Sequence, residues 1–174
     1  MQIFYYDKVI EDYEMKSKYK LVITHLENLY KENSTAELIC SLIGYSWYYL
    51  IECDCLNPSE WQFFLDKFHY YIDLGLDKFI DNDKFCFVAG YTLDLHGFYI
   101  DKAYEQKGIV LMNKCIELSK NKYLKLLACY FVDNAKKSRL KKIRLKKEDK
   151  HYLFLLFPNN SMIDVYFREI FSIE

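Results

Sequence analysis

The sequence predicts an all-α protein in which antiparallel helix pairs stack into a helical array, with about seven or eight helices. Apolar residues recur at helical spacing along nearly the whole chain, and only two prolines and five glycines interrupt its 174 residues. One helix-pair motif also occurs twice. We expect residues 1–174 to form a single helical domain, because a chain of this length buries about two-thirds of the surface that it exposes when unfolded.

Apolar spacing and capping residues define the first two helices. The first is predicted over about residues 8–31, and the second runs to about Cys53 after a cap at Ser34 or Thr35. The side chains that share a face are Tyr19, Val22, Ile23, Leu26, Leu29 and Tyr30 in the first helix, and Leu38, Leu42, Tyr45 and Tyr49 in the second.

The third helix begins at "NPSEW". Asn57 can cap it, Pro58 occupies the first helical position, where a missing N–H costs nothing, and Glu60 follows at the third. Its predicted buried stripe consists of Trp61, Phe64, Leu65, Phe68 and Ile72.

Three more helices are predicted before the basic segment. Residues 81–83 can cap the fourth, which contains "FCFVAGYTLDLHGFYI" (85–100). The fifth follows Asp101, and the sixth covers about residues 122–135. The inward positions are Ile109, Met112, Cys115 and Ile116 in the fifth helix, and Leu124, Leu127, Ala128 and Phe131 in the sixth.

The C-terminal part leaves one alternative open. A basic helical segment at about 136–150 is expected to continue into "HYLFLLF" (151–157), although that heptapeptide could instead form a short strand. Pro158 ends it, and Asn160 or Ser161 can cap a last helix.

A motif of the form Cys-x-x-x-Gly-Tyr-[Ser/Thr] indicates a repeated helix pair. Its two copies, 46 residues apart, are Cys40–Ser46 and Cys86–Thr92. A period of about 46 residues with two helices is typical of HEAT or armadillo arrays, and the glycine–aromatic pair resembles tetratricopeptide repeats. We expect Gly44 and Gly90 to let a neighbouring helix backbone approach, while Tyr45 and Tyr91 fill the layer between repeats. The following helices keep this offset, which aligns Phe64 with Val110, Leu65 with Leu111 and Ile72 with Leu118.

Residues that could carry chemistry do not assemble into a catalytic or metal site. On a helix, Asp94 and His96 point about 200° apart and cannot form an oriented acid–base pair. Cys86 lies roughly 15 Å from His96 along the axis, and Cys53 and Cys55 lack the second pair that a zinc site needs. We therefore expect no enzyme activity, no cofactor and no metal, and we interpret His96 as a packed or end-of-helix residue.

Charge is distributed unevenly along the chain. Residues 120–150 hold twelve basic and three acidic residues, a net charge of +9, while the remainder carries −10. This segment could bind nucleic acid through Lys141, Lys142, Lys146 and Lys147. We favour a solvated or internally neutralised helix face, because arginine is rare and aromatic residues do not alternate with the lysines.

Cysteine content and hydropathy indicate the compartment. The first residues, "MQIFYYDKVIEDY", are acidic and lack a basic stretch followed by an apolar one, so no signal peptide is predicted. The six cysteines are then expected to be free thiols in a reducing, cytoplasmic environment. No apolar run approaches the roughly 18 residues that a membrane span needs.

Seventeen tyrosines are more than a core of this size needs, because each buried hydroxyl requires a partner. Some should lie at the surface, where tyrosine often anchors protein interfaces. An aromatic, acidic docking face for a basic protein is therefore predicted. Its candidate residues are Tyr48, Tyr49, Glu52, Asp54, Asp94, His96, Tyr99 and Asp101.

The stretches "GYSWYYLIECD", "FVAGYTLDLHGFYI" and "YEQKGIVLMNKCIEL" together resemble the small helical immunity proteins of bacterial polymorphic toxin systems, including contact-dependent growth inhibition. The resemblance covers about residues 40–118 and supplies no motif from which binding residues can be carried over. It implies a cytosolic protein that binds one cognate toxin domain, frequently a nuclease, and blocks its active site. The basic segment departs from a simple acidic inhibitor and leaves the docking face open.

Overall fold

The computed structural model describes residues 2–53, 56–99, 104–137 and 150–171. Within these residues the chain forms nine α-helices and no strand, which confirms the predicted all-α class. The helices are α1 (Lys8–Met15), α2 (Tyr19–Glu32), α3 (Ala36–Glu52), α4 (Pro58–Lys78), α5 (Asp83–Tyr99), α6 (Glu105–Leu118), α7 (Lys122–Lys137), α8 (Leu153–Leu156) and α9 (Met162–Phe171).

Several helices begin at the capping residues that the sequence indicates. The Thr35 hydroxyl accepts a hydrogen bond from the backbone N–H of Leu38. The side chains of Asn57 and Glu60 form a reciprocal capping box at α4. At α9, the Ser161 hydroxyl accepts from the backbone N–H of Asp164 at 3.1 Å.

The predicted first helix is in fact two helices. Ser17 adopts the left-handed conformation, with φ of 53°, and separates α1 from α2. The N–H groups of Lys18 and Ser17 donate to the carbonyls of Tyr13 and Glu14, an arrangement that ends a helix. The prediction of one helix over residues 8–31 is therefore wrong. A serine at this position is a weak stop signal in a sequence, because glycine usually occupies it.

Residues 151–157 are helical rather than extended. A short 3-10 turn at Lys150–Tyr152 leads directly into α8, and Pro158 follows two residues after the end of α8 at Leu156. Of the predicted basic helical segment 136–150, Lys136 and Lys137 form the end of α7 and Lys150 begins the 3-10 turn. Residues 138–149 lie outside the described residues, and helix there stays a prediction.

Successive helices pack as a layered array. α1 packs on α2 and α2 on α3, the pairs α3/α4 and α5/α6 follow, and α7 packs on α6. The first helices of the two pairs, α3 and α5, also pack against each other. Because α3 has neighbours on several sides, twelve of its 17 residues are buried.

The two repeat glycines have different neighbours. A Cβ atom on Gly90 would lie 3.0 Å from the backbone nitrogen of Met112, so α6 does approach α5 through its backbone as predicted. A Cβ atom on Gly44 would instead meet side chains, at 2.6 Å from Ile163 and 2.9 Å from Phe4. The expectation for Gly44 is therefore corrected, since the N-terminal segment and α9 fill that space.

The second helices of the pairs do not share the 46-residue register. Phe64 is 1% exposed, whereas Val110, its predicted equivalent, is 65% exposed. Gly108 explains the difference, because it lets α6 sit directly on the α5 backbone at Asp94, and the equivalent position in α4 is Gln62. The buried positions of α4 and α6 match instead at an offset of 40, namely Phe68 with Gly108, Tyr71 with Leu111, Ile72 with Met112 and Gly75 with Cys115.

The C-terminal helices fold back over α3 and α5 and meet the N-terminus. The Ile3 N–H donates to the Leu156 carbonyl at 3.2 Å. The Phe167 ring of α9 lies 5.2 Å from the rings of both Phe4 and Phe157, and 4.9 Å from the ring of Tyr91. This aromatic cluster joins both ends of the chain to the central helices.

Three cysteines behave as the sequence predicts. Cys40, Cys86 and Cys115 are buried free thiols, and burial raises the pKa of each. The Cys86 thiol donates a hydrogen bond to the Ile80 carbonyl at 3.1 Å. These thiols act as small apolar groups in the core.

The contact between α5 and α6 makes Gly108 intolerant of a side chain. A Cβ atom there would lie 2.5 Å from the Asp94 nitrogen and 2.7 Å from the Gly90 oxygen, and both are backbone atoms that cannot rotate away. We expect Gly108→Ala to lower the free energy of unfolding by about 1–3 kcal/mol, although alanine favours a helix. Urea unfolding measures this change. Exposed Gln106→Ala is the control, and a stabilising Gly108→Ala would contradict the close contact.

Candidate functional site

The predicted contact residues at the end of α3 occupy different environments. Tyr48 is half-buried and Glu52 is exposed, so both can be reached from solvent. Tyr49 is fully buried, with its ring centroid 4.5 Å from that of Tyr19. Its assignment to the surface is therefore corrected, since it belongs to the core. Asp54 lies outside the described residues.

The predicted contact residues in α5 are also mostly in the core. Asp94 is 4% exposed and His96 is fully buried, so neither is an outward contact. The cause is α6, whose backbone lies against Asp94 at Gly108. Of Tyr99 only the backbone, at the end of α5, is described, and Asp101 lies outside the described residues.

His96 belongs to a cluster of rings between α4 and α5. Its Nε2 atom lies 3.2 Å from the Nε2 atom of His69, so one imidazole can donate a hydrogen bond to the other. The His96 ring also packs on Phe68 and Tyr104, with centroid distances of 4.8 and 5.5 Å. His96 is therefore a packed residue, and it lies in the last turn of α5, which ends at Tyr99.

The nucleic-acid alternative stays a prediction. Residues 138–149 lie outside the described residues, and with them Lys141, Lys142, Lys146 and Lys147. Lys122, which precedes the segment, is described. Its ammonium group lies 4.7 Å from the ring centroid of Tyr123.

Two carboxylates and two buried tyrosines meet where α1, α3 and α9 converge. Glu14 in α1 accepts a hydrogen bond from the Met162 N–H at 3.1 Å. Asp164 in α9 accepts one from the Ser161 hydroxyl at 2.5 Å. Tyr45 of α3 is fully buried close to Glu14 and Ser161. We call the carboxylate–tyrosine cluster the group formed by Glu14, Tyr45, Tyr49, Ser161 and Asp164.

Burial dominates the electrostatics of this cluster. Loss of hydration raises the pKa of Glu14 to about 7 and the pKa of Asp164 to about 6. Hydrogen bonds from the Met162 N–H and the Ser161 hydroxyl favour the charged forms but do not offset the desolvation. Both carboxyl groups therefore titrate near neutral pH.

Two half-buried tyrosines, Tyr6 and Tyr48, border the cluster. Burial raises the pKa of each to about 12, and the charge of Glu14 adds to the effect. The Tyr48 ring contacts the rings of Tyr49 and Tyr166 edge-on, at centroid distances of 5.9 and 5.6 Å. The acidic groups near Tyr48 thus include Glu14 from α1, which is distant in sequence and which local sequence patterns could not identify.

An open groove of about 620 Å³ lies between α2 and α4. At its floor, Glu27 accepts hydrogen bonds from the Lys67 ammonium group and the Tyr71 hydroxyl, which ties the two helices together. Tyr70 is 59% exposed, and its ring packs edge-on against that of Tyr71 at 5.1 Å. The exposed lining residues are Lys31, Ser34, Asp66, Tyr70 and Lys78.

A second groove, of about 460 Å³, lies between the end of α4 and the helices α5 and α6. Its walls are largely apolar, with Leu76, Leu93 and the exposed Val110 among them. Val110 is the residue that the repeat alignment places in the core. Its exposure follows from the register of α6, which could not be read from the repeat spacing.

Among the described residues, no group of three or more His, Cys, Asp or Glu side chains is placed to hold a metal ion. The same part of the chain contains no helix that is both long and apolar enough to cross a membrane. No protein-family model, curated protein or solved structure matches the chain. Function is therefore inferred from the geometry and chemistry of the grooves and the cluster.

The raised pKa values of Glu14 and Asp164 predict how stability changes with pH. Each group binds its proton more tightly in the folded chain, so its contribution to stability is present at low pH and is lost as pH rises to about 7. We expect the free energy of unfolding to fall between pH 5 and pH 8. Glu14→Gln should reduce this fall by about 1–2 kcal/mol, since part of Glu14 contacts solvent.

Urea unfolding at constant ionic strength measures this dependence. Glutamine retains the oxygen that accepts from the Met162 N–H. Glu32→Gln, at the exposed end of α2, is the matched control and should leave the pH dependence unchanged. If Glu14→Gln and Glu32→Gln show the same pH dependence as the unmodified chain, Glu14 does not titrate as described.

Proposed function

We propose that this chain is a cytoplasmic immunity protein, a stoichiometric inhibitor without enzyme activity of its own. It binds a cognate bacterial toxin domain, in the first instance a nuclease, and blocks its active site. The proposal draws on the resemblance over residues 40–118 and on the surface of the helical array. Both favour a protein that acts by contact.

The exposed Tyr70 in the α2/α4 groove is the observation that supports this proposal best. Tyrosine is among the residues that most often carry binding energy at protein interfaces, because it combines a large apolar ring with a polar hydroxyl. Tyr70 is 59% exposed on a groove of about 620 Å³ that can receive a protruding loop of a partner.

The floor of the groove is held in place before any partner binds. The Lys67 ammonium group lies 2.5 Å from Glu27 and 5.5 Å from the ring centroid of Phe63. Tyr71 also bonds to Glu27 and packs against Tyr70. A surface of this kind loses little conformational freedom on binding, which favours affinity.

The groove alone is smaller than a complete protein interface. Specific complexes bury about 800 Å² on each partner, so the contact must extend along the exposed faces of α2 and α4. Both signs of charge are available there, because Lys31 lies on α2 while Asp66 and Lys78 lie on α4. Such mixed charges favour one partner over others through complementarity.

Co-expression with the toxin domain encoded beside this gene tests the proposal. We expect cells to survive the toxin and the two proteins to purify as a one-to-one complex. Absence of both protection and complex would overturn the proposal. Salt-dependent RNA binding that is lost on neutralising Lys141, Lys142, Lys146 and Lys147 would instead support the nucleic-acid alternative.

Tyr70→Ala tests the role of the groove within that complex. We expect the dissociation constant to rise at least about tenfold, because the variant loses an exposed aromatic anchor. Isothermal titration calorimetry measures the change. Val110→Ala, which removes an exposed apolar side chain from the other groove, should leave binding within about twofold. Equal effects of the two variants would contradict a docking site at Tyr70.

A further inference from the structure

Glu14 and Asp164 differ from three partly buried carboxylates that form ion pairs. Asp7, Glu27 and Glu37 pair with His25, Lys67 and Lys84, respectively. Neither Glu14 nor Asp164 forms an ion pair within the part of the chain that the structure describes. Shielded carboxylates without a counter-charge are costly, because desolvation penalises the ionised form.

The neighbouring arginine does not supply that charge directly. Arg168 acts electrostatically on Asp164, but its Nη1 atom donates to the backbone carbonyls of Phe157 and Asn159 at 2.6 and 2.5 Å. This nitrogen of Arg168 therefore binds the turn before α9. Glu14 lies on the other side of the α1–α9 contact, where it interacts with the Met162 N–H and the Tyr45 hydroxyl, neither of which carries a positive charge.

Buried polar atoms of the same cluster also lack hydrogen-bond partners of ordinary geometry within the described residues. They are the Tyr49 hydroxyl and the Oδ1 atom of Asp164, whereas the Tyr45 hydroxyl interacts with Glu14 and Ser161. Both tyrosines are fully buried in the core, and the charge of Glu14 acts on both hydroxyls. An unsatisfied hydroxyl beside two carboxylates suits a donor-rich cation, since an ammonium group offers three N–H donors and a guanidinium five.

The cluster can be reached from solvent on the side of Glu14. Glu14, Tyr6 and Tyr48 are each only partly buried. The faces of tyrosine rings attract cations, so the two rings at the border favour the approach of a positively charged group. An incoming side chain could thus contact Glu14 first and the inner oxygens afterwards.

We propose that the carboxylate–tyrosine cluster binds the side chain of a lysine or arginine donated by a basic protein partner. The identity of that partner as the toxin rests on the proposed function, whereas cation binding itself does not. The cation would offset one of the two carboxylate charges and donate to the Tyr49 hydroxyl and the Oδ1 atom of Asp164. Such a contact would fix the position and orientation of a partner that also covers Tyr48.

Small side-chain analogues test cation binding without the partner. n-Butylguanidinium and n-butylammonium chloride represent arginine and lysine, and n-butylurea is the neutral control. At pH 8 and constant ionic strength, NMR should show saturable shifts of the Glu14 and Asp164 carboxyl carbons with either cation. We expect dissociation constants on the order of 1 mM, as for other small ligands.

Two variants decide whether the cluster is the site. Glu14→Gln and Asp164→Asn should each weaken the binding of the cations at least about tenfold, while Glu32→Gln should not change it. An amide-proton spectrum confirms that each variant is folded. Equal shifts with n-butylurea, no saturable shift, or unchanged affinity in both variants would each overturn the cation site.

The two proposals can fail separately. The cation site is wrong, and the immunity function stands, if the toxin complex forms with an affinity that Glu14→Gln and Asp164→Asn do not change and the analogues do not bind. Binding of the analogues without any toxin complex supports the cation site and removes the proposed partner.

Discussion

The ring of Phe167 lies among Phe4, Tyr91 and Phe157, and this contact closes the helical array. A helix such as α3 is apolar on nearly every side, so it is stable only if its neighbours cover all of its faces. α2 and α4 cover two of them. The N-terminal segment and α9 cover another, through Phe4 and Ile163 at Gly44. Truncating a buried phenylalanine of this kind typically costs about 3–5 kcal/mol.

The same docking places charge where it is poorly hydrated. α9 cannot bury Phe167 without also bringing Asp164 and Ser161 against α1 and α3. The Met162 N–H at the start of α9 then bonds to Glu14, so a helix terminus and a carboxylate satisfy each other. The packing of α9 thus creates the carboxylate–tyrosine cluster, and the stability of the docked helix then depends on the ionisation of Glu14 and Asp164. The same docking of α9 closes the core and forms the candidate binding site.

Local signals in the sequence predicted local structure well. The cap at Thr35, the start of α4 at Asn57 and the inward face of α7 are all confirmed, because each depends on residues within one or two turns. The break at Ser17 was missed, since the left-handed conformation there does not involve glycine. The register of α6 was also missed, because the contact of Gly108 with α5 determines it. The acidic neighbour Glu14 of Tyr48 comes from α1, and spacing along the chain carries no signal of such a contact.

Native-state hydrogen exchange measures directly whether α9 is an integral part of the core. If α9 closes the array, the slowest amides of α3, α5 and α9 should share one opening free energy, equal to that of global unfolding. The amides of α1 near Glu14 should exchange with them or slightly faster. The opposite result is that amides of α9 exchange with a much lower opening free energy while those of α3 and α5 remain protected. It would show that α9 undocks alone and would contradict the claim that α9 closes the array.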